Sequence, residues 1–233
     1  IDVGAESART NRAAISLDEE IARFRGFLAR WDEVWRDARP RDEEQVWPPV
    51  LSVNTWRPEV VAALLEDPQV ALVNDMGGMP DARNAAACAA AGASLLVMHS
   101  VGEPKVPHVG QRWDDVVAAM ERFFEEKLAL CRAAGLADER VILDPGIDFA
   151  KQRDDNLAVY RSLDRLRRFG RPLLVPVSRK TVIREVLGIA APVERDAGTI
   201  ACLALAQRRG GAIFRVHHVE AAWQAVKVLA ALG

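Results

Sequence analysis

Short apolar stretches that end in polar residues recur along the chain, and this repetition constrains the fold more than any other feature. The clearest stretch is Val141–Lys151, which reads VILDPGIDFAK. It predicts a buried strand that ends at Leu143 and presents the carboxylate of Asp144 at its C-terminal tip, because Pro145 and Gly146 prevent the strand from continuing. With this one included, seven strands are predicted, at 1–3, 50–53, 70–73, 94–98, 141–143, 173–177 and 212–214.

The segments between these strands have helical patterns. Helices are predicted to begin at about residue 17 and after Pro58, and to cover 81–91, 113–134, 181–187 and 195–207. One further helix is predicted from the VILDPGIDFAK stretch to 169, and a last one ends at 232. Strands that lack polar/apolar alternation are typical of parallel sheets covered on both faces.

A doubly wound open sheet and a barrel both alternate strand and helix in this way. A barrel is favoured because nearly every strand ends in polar groups, as expected where a site is built from strand ends around a ring. An open sheet would concentrate them at one switch point. We therefore predict one α/β domain over 1–233, a (β/α)8 TIM barrel whose first strand is missing from the sequence upstream of Ile1.

Composition narrows the function classes. The chain has 233 residues, half of them hydrophobic, and a formal net charge of -2, which gives no electrostatic case for nucleic acid or an anionic membrane. No apolar run approaches the roughly 20 residues of a membrane span. The three scattered cysteines are interpreted as reduced thiols of a cytoplasmic protein. Residues 32–49 are interpreted as a charged surface excursion, with Trp35 and Trp47 packed against the preceding helix.

The residues at the strand tips suit a planar heterocycle and an anion. They share amide, carboxylate, hydroxyl or cationic side chains: Asn54, Asn74, Asp75, His99, Asp144, Ser178, Lys180, Arg215 and His217. Carboxylate and amide groups can pair with ring N–H, amino and carbonyl edges, and the cations can bind phosphate oxygens. No zinc-ligand spacing, Walker A loop or G-x-S-x-G elbow around Ser178 is present.

Several tips also have a structural interpretation. Asp144 could be a turn or capping acid, and Asn74–Asp75 could form a strand-ending turn. His99 could be a satisfied core histidine, and Lys180 a solvated helix start. Arg215 is harder to explain structurally, because a charge on an apolar strand needs a partner.

Seven segments in order resemble the dihydropteroate synthase family, from Ile1 to the C-terminus. They are IDVGAES at 1–7, SVNTWRPEV at 52–60, VNDMGG at 73–78, VMHS at 97–100, ILDPGIDFAK at 142–151, VSRKTVI at 177–183 and FRVHHV at 214–219. The resemblance implies a (β/α)8 barrel that condenses 6-hydroxymethyl-7,8-dihydropterin diphosphate with 4-aminobenzoate, giving 7,8-dihydropteroate and pyrophosphate. It also implies that the protein is a target of sulfonamides.

The same resemblance implies roles for individual residues. The pterin would be bound by Asp144, Asn74, Lys180, Phe149 and Arg215, the aminobenzoate by Ser178 and Arg9, and the diphosphate by Arg215 and His217, with Lys180, Arg215, His217 and Asn54 as the catalytic set. Mg²⁺ would accompany the diphosphate, with its protein ligand upstream of Ile1 and none within the chain. A homodimer is also implied, and the late helices, with Leu203, Leu205, Val226 and Leu229, could bury its interface.

Two alternatives stay open. The family usually has Asp where this chain has Asn54, an acid in place of His218, and a Thr-Arg-Pro-Gly pattern in the first loop. These departures favour a catalytically silent paralogue that binds pterin or a partner. A methyltetrahydrofolate:corrinoid methyltransferase has a related pterin-binding barrel, but it needs no tip like Ser178–Lys180 for a diphosphate-linked substrate.

Overall fold

Strands and helices alternate along the chain. The computed structural model describes residues 1–6, 13–36, 40, 47–106, 108 and 110–233. The strands are β1 (Asp2–Gly4), β2 (Leu51–Asn54), β3 (Val70–Asp75), β4 (Ser94–Met98), β5 (Val141–Asp144), β6 (Leu173–Val175) and β7 (Gly211–Phe214). The helices are α1 (Leu17–Leu28), α2 (Trp31–Trp35), α3 (Pro58–Leu64), α4 (Arg83–Ala91), α5 (Val116–Ala133), α6 (Arg153–Arg161), α7 (Thr181–Leu187), α8 (Asp196–Arg208) and α9 (Val219–Leu232).

The seven strands of the described residues form one sheet in chain order, β1-β2-β3-β4-β5-β6-β7. The pairings of β1 with β2, β2 with β3, β3 with β4, β5 with β6 and β6 with β7 are parallel. A doubly wound sheet reverses its strand order at a switch point, and this order has no reversal. The chain therefore has the (β/α)8 barrel type of fold, as predicted. An eighth strand upstream of Ile1 stays a prediction.

The chain divides into two compact units. The first unit comprises Ile1–Val97, Glu103–Val106 and Lys127–Val141, and the second comprises Met98–Gly102, Pro107–Glu126 and Ile142–Gly233. In the first unit Val53, Val73, Leu95, Val60 and Leu64 are fully buried. In the second unit Leu143, Val175, Val159, Leu163 and Leu203 are fully buried. Each unit thus has strand and helix residues in its own core, and the single-domain interpretation stays a prediction.

Local sequence signals explain several helix ends. Ser16 caps α1, because its Oγ accepts a hydrogen bond from the Glu19 N–H at 3.1 Å. Pro58 is the first residue of α3, a position that needs no N–H donor. Gly92 ends α4 in the left-handed conformation at φ 69°. All three are signals that the sequence itself provides.

One predicted helix is two elements. The helix predicted to run to Phe169 ends at Arg161 as α6, and a 3₁₀ helix follows over Leu163–Phe169. Leu163 and Leu166 are both fully buried, and a three-residue spacing matches the repeat of a 3₁₀ helix. The prediction was wrong here because a hydrophobic spacing of three fits either helix type.

Only part of the 32–49 excursion can be described. Residues 37–39 and 41–46 lie outside the described residues. Trp35 contacts Trp47, with ring centroids 6.0 Å apart and the rings nearly perpendicular. Trp31 packs against α1, since its ring lies 5.8 Å from that of Phe27. The packing of Trp35 and Trp47 against that helix stays a prediction.

The three cysteines are free thiols. Cys88 and Cys131 are buried and Cys202 is partly exposed, and all three are free. Burial raises the pKa of Cys88 to about 12 and that of Cys131 to about 11, so both stay protonated near neutral pH.

Across the described ranges, no helix is long and apolar enough to cross a membrane.

Candidate active site

The loop after β5 holds Asp144 in a buried position. Asp144 is 5% exposed, and its Oδ1 accepts a hydrogen bond from the Gly146 N–H at 2.7 Å. Burial raises the pKa of Asp144 to about 6, and the Gly146 N–H together with Lys180, Lys151 and Arg215 opposes the rise. The turn interpretation is therefore correct, but one N–H donor leaves acceptor capacity on this carboxylate.

Gly146 is required by the shape of this loop. It has a φ of 65°, and a Cβ there would lie 2.0 Å from the carbonyl oxygen of His99. The close approach brings the loop against His99, whose N–H donates to the Asp144 carbonyl at 2.9 Å.

Lys151 holds the same loop from inside, a role that the sequence analysis missed. Its Nζ donates to the carbonyls of Gly146 at 3.0 Å, Phe149 at 3.1 Å and His99 at 3.3 Å. Burial lowers its pKa to about 7, and Asp144 opposes that effect. A lysine that closes a motif rich in apolar residues was the available signal, because a buried ammonium must find acceptors.

Lys180 lies beside Phe149 in the second unit. The Lys180 Nζ donates to the Ile147 carbonyl at 3.0 Å and lies 5.5 Å from the centroid of the Phe149 ring. Burial lowers its pKa, and Asp148 and Asp144 oppose that shift. Asp148 also accepts from the Val182 N–H at 3.2 Å, which ties the loop to the start of α7. Lys180 is therefore held in place rather than solvated.

Ser178 and His217 are in direct contact. Ser178 is buried, and its Oγ lies 2.7 Å from His217 Nδ1 and 3.2 Å from the His217 backbone nitrogen. Burial lowers the pKa of His217, as do Arg179, Arg215 and Lys180, whereas Asp196 raises it. Three cations thus surround a histidine that is neutral near pH 7.

Arg179 is paired within the protein. Its Nε and Nη2 contact Asp196 at 2.7 and 2.9 Å, and its backbone N–H donates to Thr199 Oγ1 at 3.0 Å. Its backbone has a φ of 57°. Arg179 is therefore fixed on Asp196, while Ser178 and Lys180 on either side of it make contacts within the candidate site.

In the first unit, Asn74 is fixed by a residue that the sequence analysis gave no role. Asn74 Nδ2 lies 3.2 Å from each carboxylate oxygen of Asp2, which also accepts from Ser52 Oγ at 2.7 Å. An ionised carboxylate only accepts, so the amide must turn its NH₂ group toward Asp2. Asn74 Oδ1 is then buried without a hydrogen-bond partner in the described part of the chain. A charged residue within a short apolar strand was the available signal for Asp2.

The other tips of the first unit are structural or partly exposed. Asp75 accepts from the Gly77 N–H and from Asn84 Nδ2, both at 2.8 Å. Burial raises its pKa to about 6. These contacts support the strand-ending turn for Asp75. Asn54 is half-buried, with Nδ2 2.9 Å from the sulfur of Met76.

His99 is a core histidine, as its structural interpretation predicted, but it is not fully satisfied, because its buried Nδ1 has no hydrogen-bond partner among the described residues. It is 1% exposed, and its ring lies 5.4 Å from Trp113, 5.0 Å from Phe123 and 6.4 Å from Phe124. Burial, with a smaller effect of Lys151, lowers its pKa to about 2, so it stays neutral.

The predicted site residues are divided between the units. The second unit holds Asp144, Phe149, Ser178, Lys180, Arg215 and His217, and the first holds Asn54 and Asn74. Lys180 and Arg215 both lower the pKa of Asp144 and that of His217. Arg9 lies outside the described residues.

A match to a protein family gives the class of protein to which the chain belongs. Residues 1–217 match the family model described as pterin binding enzyme. With the strand order and the buried carboxylate flanked by cations, this match makes the chain a member of the pterin-binding enzymes.

Individual relatives narrow the class. The dihydropteroate synthase of Escherichia coli (strain K12) is 34% identical over 236 residues, covering 99% of this chain and 77% of that protein. That of Synechocystis sp. is 35% identical over 233 residues, covering 100% of this chain and 76% of that protein. The chain belongs to the dihydropteroate synthase family.

Solved structures of dihydropteroate synthases have the same fold as this chain. The Thermus thermophilus dihydropteroate synthase in complex with 4-aminobenzoate has a TM-score of 0.85 at 33% identity, covering 100% of this chain and 83% of that chain. The Yersinia pestis enzyme with a sulfonamide drug complex has a TM-score of 0.85 at 29% identity, covering 99% of this chain and 79% of that chain.

Proposed function

We propose that the protein condenses 6-hydroxymethyl-7,8-dihydropterin diphosphate with 4-aminobenzoate. The amine nitrogen forms a bond to the exocyclic methylene, the carbon–oxygen bond to the diphosphate breaks, and the amine loses a proton. The observation that carries the proposal is the buried Asp144 carboxylate, with Lys180 and Arg215 in electrostatic range. Together they offer an acceptor for a planar amine-bearing ring and cations for a diphosphate.

In this proposal the pterin is recognised by hydrogen-bond acceptors. Asp144 pairs with the amino and ring N–H edge, and Asn74 contributes its buried Oδ1. Lys180 binds near the pterin carbonyl, and Phe149 and Arg215 form part of the pterin-site wall. A carboxylate that faces two donors can bind them bidentately, which gives geometric specificity as well as energy.

Catalysis is proposed to be electrostatic. Arg215 and His217 contact the diphosphate, and Lys180 adds positive charge as the leaving group departs. The amide dipole of Asn54 stabilises the positive charge that develops on the methylene carbon. Ser178 and Arg9 bind the aminobenzoate. No protein nucleophile is required.

Mg²⁺ is proposed as a companion of the diphosphate substrate. The described residues contain no group of three His, Cys, Asp or Glu side chains that could hold a metal ion. They do not form a Mg²⁺ cage, and Mg²⁺ is commonly held by substrate phosphates, water and one or two carboxylates. A cytoplasmic location also stays a prediction.

Pyrophosphate release tests the reaction. We expect release that requires both substrates and Mg²⁺, with equimolar 7,8-dihydropteroate found by chromatography. Asp144→Asn should lower kcat/KM by about 100-fold, since a charge-assisted bidentate contact contributes roughly 3 kcal/mol. Asp154→Asn is the matched control, because Asp154 has an 87% exposed side chain. Pterin binding by a folded protein without turnover would refute the activity.

A silent paralogue is the second candidate, and Asn54 is the observation that favours it. The His218 departure has a structural account, because His218 Nδ1 accepts from the Ala221 N–H at 3.2 Å and caps α9, as an Asp would. Asn54→Asp should therefore restore turnover to a silent protein, whereas His218→Asp should not. The corrinoid methyltransferase gains no support from the relatives above, and absence of cobalamin binding would close that alternative.

A homodimer is proposed from the exposed apolar residues of α9. Val219, Val228 and Leu232 are 67%, 58% and 72% exposed, and Ala222 is the buried residue of that helix. Leu203, which was expected at an interface, is instead fully buried in the core of the second unit. Leu205 is 38% exposed and remains a candidate interface residue.

A further inference from the structure

The contact between Ser178 and His217 restricts where each proton lies. The His217 backbone N–H donates to Ser178 Oγ at 3.2 Å, so one acceptor position of that oxygen is occupied. His217 Nδ1 lies 2.7 Å from the same oxygen, a distance at which one atom must donate and the other accept. Either Ser178 donates its hydroxyl proton, or Nδ1 carries a proton and Ser178 accepts it.

Burial decides between the two arrangements. Ser178 is 9% exposed, and buried hydroxyl donors are almost always paired. If Nδ1 carried the proton, Oγ would accept two hydrogen bonds, and its own proton would need a second acceptor. Among the described residues, His217 Nδ1 is the acceptor within reach of that proton.

We infer that Ser178 is a positioning residue that fixes His217 in the tautomer with its proton on Nε2. The ring then offers a neutral N–H donor at Nε2. This inference rests on the proposed function for its purpose, since the donor would serve the diphosphate, but the tautomer itself belongs to the ligand-free protein.

The charges around His217 agree with a neutral donor. Arg179, Arg215 and Lys180 act on the ring as cations, and Asp196 opposes them. Asp196 is itself held by Arg179 at 2.7 Å. With three cations close by, a fourth positive charge on the His217 ring is disfavoured. A neutral N–H adds a hydrogen-bond donor without that repulsion.

Nitrogen-15 NMR of the ligand-free full chain tests the inference. The chain has four histidines, and His217→Gln and His218→Gln variants assign the two neighbouring rings. We expect Nδ1 of His217 to show the shift of an unprotonated nitrogen and Nε2 that of a protonated one. A protonated Nδ1 in the neutral ring would overturn the inference.

Titration of the same signals gives a second readout. Ser178→Ala removes the hydroxyl donor that stabilises neutral His217, so the pKa of His217 should rise, and Ser178→Thr should keep it near the wild-type value. A fall in Ser178→Ala would mean that Ser178 accepts from Nδ1 and would overturn the inference. If Ser178→Ala fails to fold, the wild-type tautomer decides alone. An inactive protein with the Nε2–H tautomer would refute the proposed function and leave this inference standing.

Discussion

At the scale of single residues, Asp144 combines a proposed recognition role with a cost in stability. Burial raises the pKa of its carboxyl from 3.8 to about 6, so the folded protein disfavours the ionised form that would pair with a pterin. A raised folded-state pKa gives stability that is complete below the unfolded value and is lost as pH rises through the folded value. The penalty above pH 6 is of the order of 1–3 kcal/mol.

Asp144→Asn should therefore stabilise the free protein at neutral pH. The expected gain in the free energy of unfolding is about 1–3 kcal/mol near pH 7.5, and it should shrink toward zero below about pH 4. Urea unfolding across this pH range measures it, with Asp154→Asn as the exposed control. A gain that is equal at both ends of the range would contradict the raised pKa.

Asp2 should act on pterin affinity through Asn74. An Asn at position 2 can both donate and accept, so Asp2→Asn would no longer force the Asn74 amide into one orientation. Affinity for 6-hydroxymethylpterin, measured by calorimetry, should fall about 10-fold. Ser52→Ala removes the other hydrogen bond to Asp2 and should change affinity by less than about 3-fold. Equal losses in the two variants would count against the orienting role.

At the scale of elements, the loop after β5 is shaped by close backbone packing. Gly146→Ala would place a Cβ against the His99 carbonyl in addition to the strain of a positive φ. Gly170→Ala is the matched control, because Gly170 has a φ of 63° and nothing within 4 Å of an added Cβ.

The two glycine variants should differ in stability. Gly170→Ala should lower the free energy of unfolding by about 1–2 kcal/mol, and Gly146→Ala by at least about 2 kcal/mol more. Urea unfolding of both variants measures this difference. Similar losses would show that the loop can move away from the His99 carbonyl without cost.

The elements and the strand-tip residues were largely predictable from the sequence, because short apolar runs and their polar ends are local patterns. Asp144 and Lys180 were found in this way. Asp2 and Lys151 were missed because their roles depend on contacts across the chain: Asp2 reaches Asn74, and Lys151 reaches the His99 carbonyl. The pattern also did not predict the division of the helix before Phe169, since the three-residue spacing of its buried leucines fits either helix type.

At the scale of the whole molecule, the exposed apolar side chains of α9 predict self-association. Val228→Glu should shift the protein from dimer toward monomer in sedimentation velocity, because a buried charge without a partner opposes association. Val106→Glu is a matched control, since Val106 is 45% exposed and lies outside α9. A monomeric wild-type protein at micromolar concentration would contradict the proposed homodimer.

The chain's fold type, its family and its buried carboxylate lead to one central claim, that Asp144 anchors a pterin in a dihydropteroate synthase site. Calorimetric titration of 6-hydroxymethylpterin diphosphate into the wild-type protein, Asp144→Asn and Asp154→Asn tests it most directly. We predict saturable binding to the wild-type protein and to Asp154→Asn, and a loss of at least about 100-fold in Asp144→Asn, since an acceptor becomes a donor facing donors. Wild-type affinity in a folded Asp144→Asn protein would contradict the claim.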